Sequence, residues 1–228
     1  MKKIANIFLS CILIVLSLLT ACNNNGGKPN NPQSSEKNAN NSTPIISEGL
    51  DFKLNDDEAG YTVTGFGTWK GTNLVIPSEY NNLPVTAIGE AAFYNDYYLL
   101  PVGGWEDLEY RYNSVPITSV IIPDSVTTIG DMAFFDCSLL TTVTLSNSVK
   151  TIGSAAFYGC SALTNINIPS SVQTIGDGAF CACKSLKEIH IPASVTLIVD
   201  GAFLGCTSLA KIDVDENNPN YTSIANNL

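Results

Sequence analysis

The chain has 228 residues, and its 11 Lys and Arg against 21 Asp and Glu give a formal net charge of −10 at pH 7. Its basic residues form no cluster, so nucleic acid and anionic membrane faces are excluded as partners. The length beyond the N-terminal segments described next suits a single domain.

The first predicted element is an export signal at residues 1–21. A short positive start precedes an apolar core at Ile7–Leu19, which is too short for a membrane span. The core ends in Leu-Thr-Ala-Cys22 and resembles the lipobox of bacterial lipoproteins. That resemblance implies a diacylglyceryl group on Cys22, which would hold the protein in the cell envelope, outside the cytoplasmic membrane and exposed at the surface. An uncleaved anchor or an ordinary signal with a chance cysteine is the alternative.

The second predicted element is a flexible tether that follows the lipidated cysteine and spans residues 22–47. Residues 23–44 include eight asparagines and three prolines, with no aromatic or large aliphatic side chain. Such a segment buries too little apolar surface to offset its ordering entropy. We therefore expect the folded domain at residues 48–228.

The folded domain repeats itself every 23 residues. The repeating positions are Ile129, Ile152, Ile175 and Ile198; Phe134, Phe157, Phe180 and Phe203; Cys137, Cys160, Cys183 and Cys206; and Leu140, Leu163, Leu186 and Leu209. Self-similarity at this period is typical of a solenoid, in which each turn buries its apolar side against its neighbours. We expect a mainly β solenoid of about five turns.

One turn shows the elements that this repeat predicts. Ile166 and Ile168 alternate with polar residues, as in a strand with one buried face, and Pro169 ends that strand. Val172–Ile175 is a second extended piece. Ala179–Cys183 has room for one helical or 3₁₀ turn. Successive turns would stack their strands into one parallel sheet, with the bends on the opposite side.

The repeated cysteines predict a ladder of buried thiols inside the solenoid, because free cysteine packs as a small apolar side chain. The spacing between turns would also permit a disulfide, although parallel side chains need not reach the required torsion. A metal site is disfavoured, since no histidine shares the cysteine phase. We expect no metal and no cofactor.

The motif Ile-Pro-x-Ser-Val-x-x-Ile-Gly-x-x-Ala-Phe-x-x-Cys, intact at Ile122–Cys137, resembles the BspA-like class of leucine-rich repeat proteins. The resemblance covers roughly residues 50–225 and implies a surface protein that acts in adhesion. Residues 61–93 look like that family's first turn. Residues 52–54 and 61–63 would form a capping hairpin, which solenoids need to shield the first apolar turn.

The chain departs from this pattern at several positions. Asp96 stands in the cysteine phase, Ser146 replaces the proline that ends the strand, and Val199 replaces the glycine of the bend. No cap is evident after the last repeat. We therefore expect an open last turn, which would be an edge for association.

The largest departure is an insertion of 18 residues near residues 100–117, just before a strand. Insertions in repeat proteins form surface loops, and Trp, Tyr and Arg are enriched in binding hot spots. This candidate binding loop comprises Tyr97, Tyr98, Trp105, Tyr110, Arg111 and Tyr112. The alternative is that these aromatic side chains only pack the loop onto the first turn.

The second candidate site is the exposed side of the predicted sheet, which we call the main face. Its outward side chains, one pair per turn, are Thr142 and Thr144, Asn165 and Asn167, Glu188 and His190, and Lys211 and Asp213. Solenoids use such extended surfaces to bind ligands. A merely solvated strand face is the alternative, and it also explains His190 and its charged neighbours better than an acid–base site does.

The sequence thus predicts a lipid-anchored cell-surface leucine-rich repeat protein that is not an enzyme and binds an extracellular macromolecule, expected to be a protein. The membrane would be contacted only through the lipid. The alternatives are an envelope scaffold that binds another bacterial protein, and a glycan-binding lipoprotein with Trp105 and the tyrosines as stacking platforms.

Overall fold

Thirteen short β-strands, stacked turn upon turn, build the part of the chain that the computed structural model describes, residues 46–94 and 116–223. In these ranges no helix has the length and apolar character of a membrane span. The strands are β1 (Asp51–Leu54), β2 (Tyr61–Gly65), β3 (Asn73–Val75), β4 (Glu79–Tyr80), β5 (Leu83–Ile88), β6 (Ser119–Ile121), β7 (Thr128–Ile129), β8 (Thr142–Thr144), β9 (Thr151–Ile152), β10 (Thr174–Ile175), β11 (Glu188–Ile191), β12 (Leu197–Ile198) and β13 (Lys211–Val214).

The predicted capping hairpin is present at the N-terminal end. Strands β1 and β2 pair antiparallel, with Phe52 opposite Val63 and Leu54 opposite Tyr61. Strand β2 then pairs in parallel with β5, so the hairpin continues the stack. Val63 in β2 is fully buried. The hairpin therefore shields the first apolar turn, as the repeat architecture requires.

The second extended piece of each turn forms the longest sheet of the structure, which we call the long sheet. Its strand order is β1-β2-β5-β7-β9-β10-β12, and β4 joins it as the partner of β5. From β2 onward this path is parallel, and from β5 onward it is also in register, so that Ile129, Ile152, Ile175 and Ile198 lie in one row. The isoleucine repeat of the sequence is therefore a core ladder.

The strands of the main face do not form one sheet, and in this respect the prediction is wrong. Strands β3, β6 and β8 make one parallel sheet, and β11 and β13 make another. Residues 165–168, which lie between them in the stack, are not in a strand. Ile166 and Ile168 are nevertheless buried. The core is therefore continuous where the sheet is interrupted.

The predicted helical or 3₁₀ turn after each bend is also wrong, since none forms in the described residues. Residues 177–182 form turns instead, in which Gly178 and Ala182 both have a φ of 58°. Ala155 and Gly159, one turn earlier, have φ values of 51° and 71°. A right-handed helix needs a negative φ at every residue, so these paired left-handed positions prevent it.

The bends are held by hydrogen bonds between turns. Phe134 donates its N–H to the carbonyl of Ala156, and Phe157 donates to Ala179, each at 2.8 Å. The phenylalanine rings stack along the axis beneath them, with centroids 5.2 Å apart for Phe134 and Phe157 and an interplanar angle of 6°. Phe157 and Phe180 follow at 5.5 Å and 4°. The phenylalanine repeat is thus a continuous stack of rings in the core.

The predicted cysteine ladder is confirmed. Cys137, Cys160 and Cys183 are buried free thiols, and Cys206 is half-buried at the end of the row. Each thiol donates to the carbonyl of a phenylalanine on the preceding turn, as Cys160 does to Phe134 at 3.3 Å. Burial raises the pKa of the Cys137 thiol to about 12. The ladder is a structural element of neutral thiols.

Serine side chains close the edges of the two short sheets. Ser47 donates its N–H to the carbonyl of Val75 in β3 at 3.0 Å, and its Oγ accepts the Val75 N–H at 2.9 Å. Ser223 makes a similar contact with Val214 of β13, because its Oγ accepts the Val214 N–H at 2.7 Å. Both edges thereby lose a free backbone donor that could pair with another strand.

The end of the described stack stays partly open, since Ile212 is 40% exposed whereas Ile189, at the same position of the preceding turn, is 1% exposed. Polar side chains nevertheless bind the backbone of that preceding turn. Asn218 is buried and donates to the carbonyls of Pro192 and Val195 at 2.9 and 3.1 Å. The Tyr221 hydroxyl accepts the N–H of Ile198 in β12 at 2.8 Å. Asn218 stands where the repeat has an apolar valine, so a pattern of apolar residues does not reveal this contact.

Candidate functional site

The main face begins in strand β8 with two exposed threonines. Thr142 and Thr144 point outward, and Val143 between them is buried. In β6, the preceding strand of the same sheet, Ser119 lies opposite Thr142 and Ile121 lies opposite Thr144. The period-2 pattern of a strand fixes this direction, because every second side chain must enter the core.

The next turn keeps the same side chains outward without a strand. Asn165 and Asn167 are exposed, while Ile166 and Ile168 are each 3% exposed. The asparagines therefore lie on the main face as predicted. They are not joined to the threonines or to β11 by strand pairing.

Strands β11 and β13 bring the four ionisable residues of the main face together. In the parallel register, Glu188 lies opposite Lys211 and His190 lies opposite Asp213. Asp213 binds two of these neighbours, since its Oδ2 lies 3.0 Å from His190 Nδ1 and its Oδ1 lies 3.1 Å from Lys211 Nζ. The carboxylate of Glu188 has no such partner among the described residues.

Electrostatics at Asp213 favour its charged form. Hydrogen bonds from His190 and then from Lys211 lower the pKa of this carboxyl below its ordinary value. The side chains of His190 and Asp213 are 49% and 44% exposed, so water screens the pair. The arrangement resembles a histidine oriented by a carboxylate, but it stands on an open strand surface where nothing excludes water. Such a surface suits recognition better than acid–base chemistry.

The main face extends further than the sequence analysis places it. Asn73 in β3 and Ser119 in β6 also point outward, and the Ser119 hydroxyl donates to Asn73 Oδ1 at 2.8 Å. Thr118 donates to the same oxygen at 3.2 Å. Ser119 lies one repeat of 23 residues before Thr142, and Asn73 lies two such lengths before Ser119, although one turn separates them in the stack. The strand that precedes Ile-Pro is the signal that could have revealed them.

Other predicted site residues lie outside the described ranges. They are Cys22, Tyr97, Tyr98, Trp105, Tyr110, Arg111 and Tyr112. Within residues 46–94 and 116–223, no three histidine, cysteine or acidic side chains are placed to hold a metal ion.

Solved structures of bacterial leucine-rich repeat proteins resemble this chain. The leucine-rich repeat protein of T. pallidum is 30% identical and has a TM-score of 0.64, over 75% of this chain and 71% of that one. A leucine-rich repeat protein from Bacteroides ovatus is 30% identical with a TM-score of 0.56, over 76% of this chain. This chain covers 41% of the length of the B. ovatus protein.

A family model matches the repeats directly. It is described as the BspA type leucine-rich repeat region, and it matches in six copies over residues 109–227. No curated protein matches significantly. The family match covers just over half of the chain. The chain belongs to the BspA-type leucine-rich repeat family.

Proposed function

We propose that this protein is a non-enzymatic adhesin that binds a protein partner through its main face. The observation that carries the proposal is the main face itself, where exposed polar side chains alternate with buried ones in β8, at residues 165–168 and in β11. A row of hydroxyl, amide and charged groups offers hydrogen bonds in a fixed order, and leucine-rich repeat proteins generally bind other proteins. A solenoid presents such a row on a rigid support, which lowers the entropic cost of binding.

The test of this surface uses paired substitutions in the full chain. Asn165→Arg with Asn167→Arg places two bulky cations on the main face, whereas Gln173→Arg with Thr196→Arg places them at exposed positions that flank β10 and β12. Both pairs add the same charge and leave the core intact. We expect the first pair to reduce adherence of expressing cells to immobilised extracellular-matrix proteins at least about tenfold, as loss of a binding hot spot does. Equal adherence by the two variants would refute the main face as the binding surface.

We further propose that a lipid on Cys22 anchors the protein at the cell surface. The support is the Leu-Thr-Ala-Cys22 sequence at the end of an export-like segment, together with membership of a family to which surface proteins belong. Labelled palmitate should enter the wild-type protein but not a Cys22→Ser variant. External protease should release residues 45–228 from intact cells. Protection until the envelope is opened would favour the envelope scaffold instead.

A further inference from the structure

The capping hairpin carries an apolar patch that the proposed main-face contact does not use. Phe52 and Leu54 lie on one side of β1, and Tyr61 lies opposite Leu54 on the same side. Tyr80 stacks on Phe52 with ring centroids 4.0 Å apart and an interplanar angle of 13°. These four side chains form what we call the cap patch.

The cap patch is larger than shielding of the core requires. Phe52 and Tyr61 pack against the core, but Leu54 and Tyr80 are each 38% exposed. Val63 of β2 and Val85 of β5 are already fully buried. An exposed cluster that includes tyrosine has the composition of a binding hot spot.

The patch is also held rigidly before any partner arrives. Tyr61 meets the edge of Tyr80 at a centroid distance of 4.9 Å, and its hydroxyl accepts a hydrogen bond from Asn81 Nδ2 at 3.4 Å. Asn81 and Asn82 form the two-residue turn between β4 and β5, with φ values of 50° and 64°. This turn type matches the twist of the strands and fixes Tyr80 in place. Little conformational freedom would be lost when a partner binds.

Acidic side chains rim the cap patch and define what it can bind. Asp56, Asp57 and Glu58 lie in the turn after Leu54, and Glu79 precedes Tyr80; all four are exposed. Among the described residues, Lys53 forms an ion pair with this rim, with its Nζ 3.8 Å from Asp56 Oδ1. A second copy of this chain would bring two such acidic rims together, which like-charge repulsion opposes. Charge complementarity instead favours a basic partner.

We propose that the cap patch docks a basic protein segment that inserts an apolar side chain between Leu54 and Tyr80. Lysine or arginine residues beside that anchor would face the acidic rim. This surface lies on the capping hairpin and is separate from the main face, so each proposal can fail without the other.

The test measures binding of a fluorescein-labelled peptide, Lys-Leu-Lys-Trp-Lys-Leu-Lys, to the full chain by fluorescence anisotropy. We expect it to bind at least about tenfold more tightly than a peptide with Glu for each Lys or with Ser for Leu and Trp, because the site needs both charge and an apolar anchor. Raising the salt concentration from about 0.05 to 0.3 M should weaken binding severalfold, since salt screens exposed charges. Equal binding of all three peptides would overturn the proposal.

Matched variants locate the site. Leu54→Ser with Tyr80→Ser should weaken peptide binding about tenfold, whereas Leu139→Ser with Leu204→Ser, at positions 54% and 45% exposed, should leave it unchanged. Equal effects of the two pairs would refute the cap patch as the site. A wild-type chain that forms a dimer, and loses it in the first variant, would show self-contact and also refute the proposal.

A charge variant keeps the test decisive if the apolar variant does not fold. Asp56→Lys with Glu79→Lys leaves the aromatic stack intact and should reverse the preference, so that the Glu-containing peptide binds more tightly than the Lys-containing one. Asp124→Lys with Glu216→Lys makes the same change of charge at exposed positions elsewhere and should preserve the original preference. If both variants reverse it, the peptide responds only to net charge, and the proposal is wrong.

Discussion

The ladder cysteines of this solenoid form hydrogen bonds with the backbone of the turn before them. Cys160 donates its thiol hydrogen to the carbonyl of Phe134, and Cys183 donates to Phe157, at 3.3 and 3.2 Å. Only a neutral thiol can donate, and burial raises the pKa of both thiols. The cysteine repeat therefore gives these carbonyls a second donor, beside the N–H of Cys137 for Phe134 and of Cys160 for Phe157. Its role is structural.

Asp177, on the surface of a bend, is a residue whose charge opposes folding. Partial burial, and then the carboxylate of Asp200 on the next turn, raise the pKa of Asp177. The folded state therefore binds this proton more readily than the unfolded chain does. Stability is present below the ordinary pKa of an aspartate and is lost as the pH rises through the raised value.

We therefore expect Asp177→Asn to raise the urea midpoint of unfolding at pH 7 and to leave it unchanged at pH 3. The gain should be small, because water screens the exposed part of the group. Asp124→Asn removes an exposed carboxylate elsewhere and serves as the control. An equal gain in both variants would mean that reduced net charge, and not the bend, is the cause.

At the scale of elements, two aromatic stacks run along the solenoid at neighbouring positions. The inner stack contains Phe157, which is fully buried between Phe134 and Phe180. The outer stack contains Phe135, half-buried between Tyr94 at 4.9 Å and Tyr158 at 4.7 Å. The two stacks have similar ring geometry but differ in burial. Comparing substitutions in them therefore separates the contribution of stacking to stability from that of apolar burial.

Phe157→Ala should lower the free energy of unfolding by about 3–5 kcal/mol, because it leaves a cavity that stacked turns cannot close. Phe135→Ala should cost about 1–2 kcal/mol, since it removes stacking and only part of the buried area. Urea unfolding followed by circular dichroism measures both. Equal losses would show that stacking, and not burial, dominates.

The sequence was sufficient to predict the structural elements in which apolar residues recur at a regular spacing. The phenylalanine and cysteine ladders and the capping hairpin follow from apolar residues at fixed spacing. The left-handed bends could not be predicted in this way, because Ala155 and Ala182 have no intrinsic preference for a positive φ. Contacts with neighbouring turns impose the positive φ. The interruption at residues 165–168 was equally hidden, since Ile166 and Ile168 keep the strand pattern. The pairing of His190 with Asp213 followed from the repeat alone.

At the scale of the whole molecule, the ladder thiols should be best protected from labelling in the middle turns. Their protection should decrease toward the end of the described stack. Cys137, Cys160 and Cys183 are buried, whereas Cys206 is half-buried. In a solenoid each turn depends on its neighbours, so a terminal turn can open without the rest.

We expect a maleimide to label Cys206 first in the native protein at pH 7.5, slowly because burial raises its pKa. The three buried ladder thiols should react only on unfolding in urea. Peptide mass spectrometry identifies which cysteine carries the label. Simultaneous labelling of all four would show that the stack opens as one unit.

The interruption of the main face has a mechanical consequence. Hydrogen bonds between turns run along the solenoid axis, so a force that pulls the ends apart loads them directly. The long sheet and the bends cross every turn from β7 to β12, but strand pairing on the main face stops at Thr144 and resumes at Glu188. Among the turns that the long sheet joins from β7 to β12, those on either side of residues 165–168 have no strand pairing on the main face. Under tension, the stack should fracture there before it fractures between the turns of β6 and β8, and the part that carries the capping hairpin should separate from the part that carries β11 and β13.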